Sequence, residues 1–286
     1  MLRCACARAD VLRFLIQVSY SDSRLLTSVV MLNFAIQTAR EAGKILADKF
    51  GRALQVSNKG DIDLVTEADL AAERLIVERI RSYHPRHRIL TEESGDVAEA
   101  GAADDAHKWI IDPLDGTTNY AHGYPVFCVS IALEHEGSIV VGVVYDPARD
   151  ELFAAERGEG ATLNGLRVRV SETDELNRAL ICTGFPYDVR GRTNFERHFR
   201  DFIMKAQSVR RDGAAALDLA YLAAGRFDGF YEEGLRPWDV AAGVLLVEEA
   251  GGRVTHYDGS PFHIYQPPIA ASNGLIHDAM LGVLQG

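Results

Sequence analysis

The rhythm of apolar runs changes once along this chain, at Ser171, and that change limits the folds open to it more than any other feature. Before it, strand-like segments near 126–134, 138–146, 151–156 and 166–170 are separated only by Glu136-Gly137, Pro147-Ala148 and Asn164-Gly165. Asn-Gly is a strong hairpin signal, because both central residues of a type I′ turn need positive φ. The stretch therefore reads as an antiparallel meander. After Ser171, strands near 180–184, 208–211, 227–231 and 252–257 alternate with helical patterns near 194–206, 213–225, 237–250 and 275–285. Such alternation predicts an α/β layer. No repeat, low-complexity tract or linker divides the two halves, so one fused core is expected. The fold class is α/β, with an α+β half (31–170) joined to an α/β half (171–286).

Upstream of the meander, Leu32, Ile36, Ala39, Leu46 and Phe50 recur at helical spacing from Met31, and Gly51 can end that helix. A polar loop at 57–60 leads to Thr66, a candidate N-cap for a second helix with Ala72, Leu75, Ile76 and Ile80 on its core face. His84-Pro85 closes it. Residues 1–30 carry four arginines against two aspartates, whereas the remainder has 26 basic and 39 acidic residues. Arg13 interrupts Val11–Val18, the apolar run that a secretory signal would need. Residues 1–30 thus read as an N-terminal extension, a loose tail or the product of an upstream start codon.

A net charge of −11 over 286 residues argues against nucleic acid or anionic lipid as direct partners. No apolar run approaches the roughly 18–20 residues of a membrane span. The four cysteines are scattered without a zinc-like pair, which fits reduced thiols in the cytoplasm. The nine histidines show no metal-ligand spacing and read mostly as surface residues. So acidic a protein suits an anionic substrate only if cations mediate the contact.

The sharpest local feature points to such cations. In Trp109-Ile110-Ile111-Asp112-Pro113-Leu114-Asp115-Gly116-Thr117-Thr118-Asn119, a strand delivers Asp112 to its end, and Pro113 is expected to turn the chain so that Asp115 lies beside it. Converging carboxylates repel unless a cation fills the gap. Mg²⁺ takes oxygen ligands, and the Leu114 carbonyl offers one more. Gly116-Thr117-Thr118 suits a phosphate if a helix begins there. The competing reading is a pair of solvated turns. Glu92-Glu93-Ser94 follows another strand, while Asp69 and Asp239 each lie in the first turn of a predicted helix. Each alone reads as capping or surface charge; together they supply a multi-metal site.

Glu92-Glu93-Ser94, Asp112 to Asn119 and Trp238-Asp239 followed by Ala241-Ala242-Gly243 resemble the fingerprints of the inositol monophosphatase family. The likeness runs from about Met31 to the C-terminus and includes Asp63 to Thr66. Thr91 and Gly184-Phe185-Pro186-Tyr187 are most similar to the family's bacterial branch. The resemblance implies a layered αβαβα sandwich and a homodimer. It also implies a lithium-sensitive, Mg²⁺-dependent phosphomonoesterase hydrolysing inositol monophosphate, with two to three ions per site. Glu92, Asp112 and the Leu114 carbonyl would hold the ion that activates water. Asp112, Asp115 and Asp239 would hold the second, and Glu92 with Asp69 a looser third. Thr117 would orient the nucleophile, and the Gly116 and Thr117 amides would bind phosphate. Gly213, Ala215 and Glu232 match positions that contact the sugar alcohol, whereas Ala214 departs from the hydroxyl residue often found there. Sister activities act on fructose bisphosphate, histidinol phosphate, NADP or nucleotide 3′-phosphates. Bacterial relatives also serve transcription antitermination, so a protein partner there is the second functional class.

Other phosphatase readings are weaker. Asp61-Ile62-Asp63 matches the dehalogenase-type nucleophile but lacks the apolar strand before it, and Cys182 has Asp188, not Arg, six residues on. Arg210-Arg211 is too small a patch for RNA, although Arg210 precedes the Gly213 turn and is a candidate substrate contact.

Overall fold

The computed structural model describes residues 23–52, 56–58, 64–97, 104–185 and 194–286. Residues 1–22, Lys59, Gly60, Asp61, Asp63, Pro186, Tyr187 and Asp188 lie outside them. Helix α1 (Ser23–Lys49) begins about two turns before Met31, so residues 23–30 continue the helix rather than forming a tail. Its buried face is Phe34, Ala35, Ala39, Ala42 and Leu46; Leu32, Ile36 and Phe50 lie at its margin. Gly51, at φ 72°, follows its end as expected.

Strands β1 (Val56–Asn58) and β2 (Leu64–Thr66) form an antiparallel ribbon where composition predicts a loop. Helix α2 (Glu67–Tyr83) is capped by Thr66, whose hydroxyl accepts the Ala68 N–H at 3.1 Å. Next come β3 (His87–Thr91), β4 (Gly95–Asp96), β5 (Asp104–Asp115) and the short α3 (Thr117–Ala121). The meander has five strands: β6 (Cys128–His135), β7 (Ser138–Asp146), β8 (Glu151–Glu156), β9 (Gly160–Leu163) and β10 (Leu166–Arg167). Asn164-Gly165 does turn a hairpin, but between β9 and β10.

The second half is β11 (Leu180–Thr183), α4 (Asn194–Lys205), β12 (Ser208–Arg210), α5 (Ala215–Ala223), β13 (Gly229–Glu232), α6 (Pro237–Glu249), β14 (Arg253–Thr255), β15 (Ile269–Ser272) and α7 (His277–Gln285). Strands β12, β11 and β13 run parallel, and β15 pairs antiparallel with both β13 and β14. The eight-stranded sheet has the order β10-β9-β8-β7-β6-β5-β3-β4.

Alternation along the strands builds the layers. Trp109 and Ile111 face α1 and α2, whereas Ile110 joins the core under α5 and α6. That middle core continues to Cys182, Phe230 and Ala271 of the five-stranded sheet, whose outer face packs Ile181, Tyr231 and Ala270 on Phe202 of α4 and Met280 of α7. The result is the five-layer αβαβα sandwich. Burying Ile110 and Ile111 contributes roughly 1.5–3 kcal/mol each, and a one-residue slip would turn both to the wrong layer. This locks the register that aims the acidic end of β5.

The histidines are not mostly on the surface. His198 and His277 are buried, and His84, His87, His107 and His135 stack in a column with centroid spacings of 4.8, 4.6 and 4.2 Å. Among the described residues no helix is long and apolar enough to cross a membrane.

Candidate active site

Strand β5 ends in a bulge rather than a turn. Asp112 pairs with Ser130 and Asp115 with Cys128, so β5 advances three residues while β6 advances two. In an uninterrupted strand, residues three apart point to opposite faces. The extra residue cancels that alternation; it falls between Asp112 and Asp115, beside Pro113, which has no N–H to give the ladder. Both carboxylates are buried and lie close enough to repel.

Other elements bring their carboxylates to the same place. Glu92, just past β3, touches Asp112, and the Glu92 N–H donates to the Ile111 carbonyl at 3.2 Å. Asp69, in the first turn of α2, accepts the Thr66 N–H at 2.9 Å and stands 3.1 Å from the Thr117 hydroxyl. That hydroxyl also lies 3.0 Å from the Leu114 carbonyl. Asp239, in the first turn of α6, accepts the Arg236 N–H at 2.6 Å and bears electrostatically on Asp112. Asp115 accepts the Ala216 N–H, at the start of α5, at 2.7 Å.

These groups crowd one another. Burial first, then Glu92, Asp115 and Asp239, hold Asp112 well above the usual carboxylate range. Asp115 is raised to about 7, mainly by burial, with the Ala216 N–H opposing the rise. Burial also raises Asp69. Buried carboxylates crowded together are relieved by protons or by cations. Their donor set is entirely oxygen, which fits a hard divalent cation and not a thiophilic one. The residues present therefore suit Mg²⁺.

Gly116 opens the phosphate-ready turn at φ 92°, and a Cβ there would stand 2.8 Å from the Val126 carbonyl. Glycine is required on both counts. Helix α3 starts at Thr117, so its first amides have no acceptor within the helix. Gly213 and Ala215 flank Ala214 across the site, where the Asn119 amide donates to the Asp212 carbonyl at 2.8 Å. Glu232 is buried at the end of β13, raised well above its usual range by burial and by Asp218 and Asp239. Its carboxylate stands over Gly184, where a Cβ would lie 2.2 Å from it.

Arg210 is not drawn in with the rest. Its guanidinium is exposed and donates to Ser208 Oγ at 2.6 Å on its own strand. The next residue, Arg211, lies just past the end of β12 and is the cation that bears electrostatically on Glu232 and Asp218. Sequence reasoning also missed Glu73, which accepts the Glu93 N–H at 3.1 Å and the Ser94 hydroxyl and so fixes the Glu92 loop. A charge one turn after Asp69, on the face that carries Ala72 and Ile76, was its readable signal.

Residues 28–285 match the model of the inositol monophosphatase family. The chain is 47% identical over 254 residues to inositol-1-monophosphatase of Mesorhizobium japonicum, covering 88% of this chain and 94% of the relative. It is 46% identical, with the same coverage, to Nus factor SuhB of Escherichia coli. The crystal structure of extragenic suppressor protein suhB from Bartonella henselae superposes with a TM-score of 0.85 at 43% identity, over 90% of this chain and 98% of that one. An IMPase/NADP phosphatase complexed with Mg²⁺ and phosphate gives a TM-score of 0.74 at 27% identity, over 85% of this chain and 90% of that one.

Proposed function

The chain belongs to the inositol monophosphatase family, and from that premise we propose that it is a Mg²⁺-dependent phosphomonoesterase that hydrolyses inositol monophosphate. The observation that carries this reading is the crowding of Glu92, Asp115 and Asp239 around Asp112, with Asp69 joined to the group through the Thr117 hydroxyl and with Asp112 and Asp115 held above their usual range. The likeness to an enzyme solved with Mg²⁺ and phosphate supports it.

Glu92, Asp112 and the Leu114 carbonyl would hold one Mg²⁺, Asp112, Asp115 and Asp239 a second, and Asp69 with Glu92 a looser third; bound there, the ions would supply water activation and charge stabilisation for the departing alkoxide. Thr117 accepts a hydrogen bond from the attacking water while its own proton points to Asp69 or the Leu114 carbonyl. The Gly116 and Thr117 amides hold phosphate oxygens. Glu232 accepts hydrogen bonds from substrate hydroxyls, beside Gly213 and Ala215. Uncatalysed phosphomonoester hydrolysis is among the slowest reactions known, so such electrostatic positioning accounts for most of the required acceleration.

Purified protein assayed with Mg²⁺ on inositol phosphate, fructose bisphosphate, NADP, histidinol phosphate and nucleotide 3′-phosphate tests the assignment. Inositol phosphate should be preferred and lithium should inhibit. Activity that survives exhaustive chelation would falsify the mechanism. The likeness to a Nus factor supports a second role, contact with a transcription-machinery protein. A pull-down with purified antitermination components, using wild type and Asp115→Asn, separates the two roles.

A further inference from the structure

One cluster outside the proposed Mg²⁺ site has a different chemistry. Cys182 lies on β11, Asp218 in the first turn of α5, and Asp212 in the loop between β12 and α5. One ligand atom from each, a sulfur and two carboxylate oxygens, lies within 4.8 Å of the others. Cys182 and Asp218 are buried to 0% and 1% exposure, and Asp212 is half-buried, so the cluster reaches solvent on one side.

Asp218 is the unexplained member. Its carboxylate accepts from the Cys182 thiol, yet Asp218 Oδ1 has no hydrogen-bond partner among the described residues. Buried polar atoms are almost always paired, through protein, water or an ion. Protonation does not satisfy this one, because an added hydrogen on Oδ1 would have no acceptor. Burial raises Asp218 well above its usual range, and Arg211 opposes that rise and offsets excess negative charge.

We propose that Cys182, Asp212 and Asp218 form a seat for a thiophilic divalent cation of the zinc type. A thiolate with two carboxylates supplies three ligands and leaves a fourth position open, which suits Zn²⁺ in tetrahedral geometry. Mg²⁺ avoids sulfur, so the seat is selective against the ion of the neighbouring site. Binding displaces the thiol proton and pairs the orphaned oxygen of Asp218. The seat lies under the turn that carries Gly213 and Ala215, and Asp212 links it to Asn119 through its own carbonyl.

The test is Co²⁺ and Zn²⁺ titration of the full-length protein in saturating Mg²⁺. Co²⁺ should give a thiolate-to-cobalt absorption band at one ion per chain, and Zn²⁺ should displace it. Cys182→Ser should abolish the band and weaken Zn²⁺ binding at least a hundredfold. Asp212→Asn, at a half-buried position, should weaken it about tenfold while keeping the band. No band in wild type means that water alone pairs Asp218 and overturns the proposal. A band that persists in Cys182→Ser traces to Cys4, Cys6 or Cys128 and overturns it equally, as does wild-type affinity in Asp212→Asn.

Discussion

If the carboxylate cluster is the Mg²⁺ site, cation binding must release protons. Asp115, raised to about 7, is only about one-tenth ionised at pH 6 and about nine-tenths at pH 8. A cation that needs the ionised form therefore gains about tenfold in affinity across that range from Asp115 alone. Asp112, also held well above its usual range, adds to the gain. The same arithmetic fixes the sign of stability without cations. Between the unfolded value of 3.8 and the folded value of about 7, the native state holds the extra proton, so stability falls as pH rises through that window. The loss reaches about 4 kcal/mol at most. Asp115→Asn should accordingly raise the melting temperature of the Mg²⁺-free protein at pH 8 while cutting turnover by orders of magnitude. The assay is Mg²⁺ titration calorimetry at pH 6, 7 and 8 in two buffers of different ionisation enthalpy, whose difference in heat counts the protons. More than about half a proton should leave per chain at pH 7. Affinity independent of pH, with no proton released at pH 6, would refute the reasoning.

The other expectations are more local. Glu232→Gln should raise KM for a polyol phosphate roughly ten- to a hundredfold, from charge-assisted hydrogen bonds of roughly 1.5–3 kcal/mol, and leave an aryl phosphate nearly unaffected; an unchanged ratio of the two kcat/KM values removes Glu232 from the substrate. Glu73→Ala should lower kcat about tenfold by freeing the Glu92 loop, and Glu73→Gln should recover much of it because one acceptor oxygen stays; equal losses would argue against this anchoring role. A chain beginning at Met31 removes the first eight residues of α1 but none of its buried face from Phe34 onward, so it should fold and turn over normally, read by melting temperature and kcat. His277, buried between Thr255 and Ser272 with Arg253 and Asp278 nearby, is lowered to about 4. The unfolded chain takes up the proton first, so wild type should lose about 2 kcal/mol relative to His277→Gln between pH 7 and pH 5 in urea unfolding, and a constant difference would exclude it.

What the sequence made legible follows from the range of each signal. Helical and strand periodicity depends on neighbours, so the elements of the second half fall within a few residues of expectation. Ile269-Ala270-Ala271-Ser272 escaped because small residues carry no strand propensity; β15 exists because β13 and β14 lend it partners on both sides. The boundary at Met31 was misplaced for the opposite reason. Composition breaks there, but the helix does not, since a backbone ladder continues through any residue that can donate and accept. At the candidate site, motifs singled out Glu92, Asp112, Asp115 and Asp239, which the fold brings together, but nothing local distinguished a turn from a bulge between Asp112 and Asp115. That choice rests on β6, where Ser130 and Cys128 leave room for one extra residue opposite. The choice carries chemical weight, since a regular strand would send Asp112 toward one layer and Asp115 toward the other. Arg210, by contrast, ends β12 with its guanidinium held on Ser208, and Arg211, past the strand, is the arginine that bears on Glu232. One inserted residue thus brings both carboxylates of the acidic pair to the same layer.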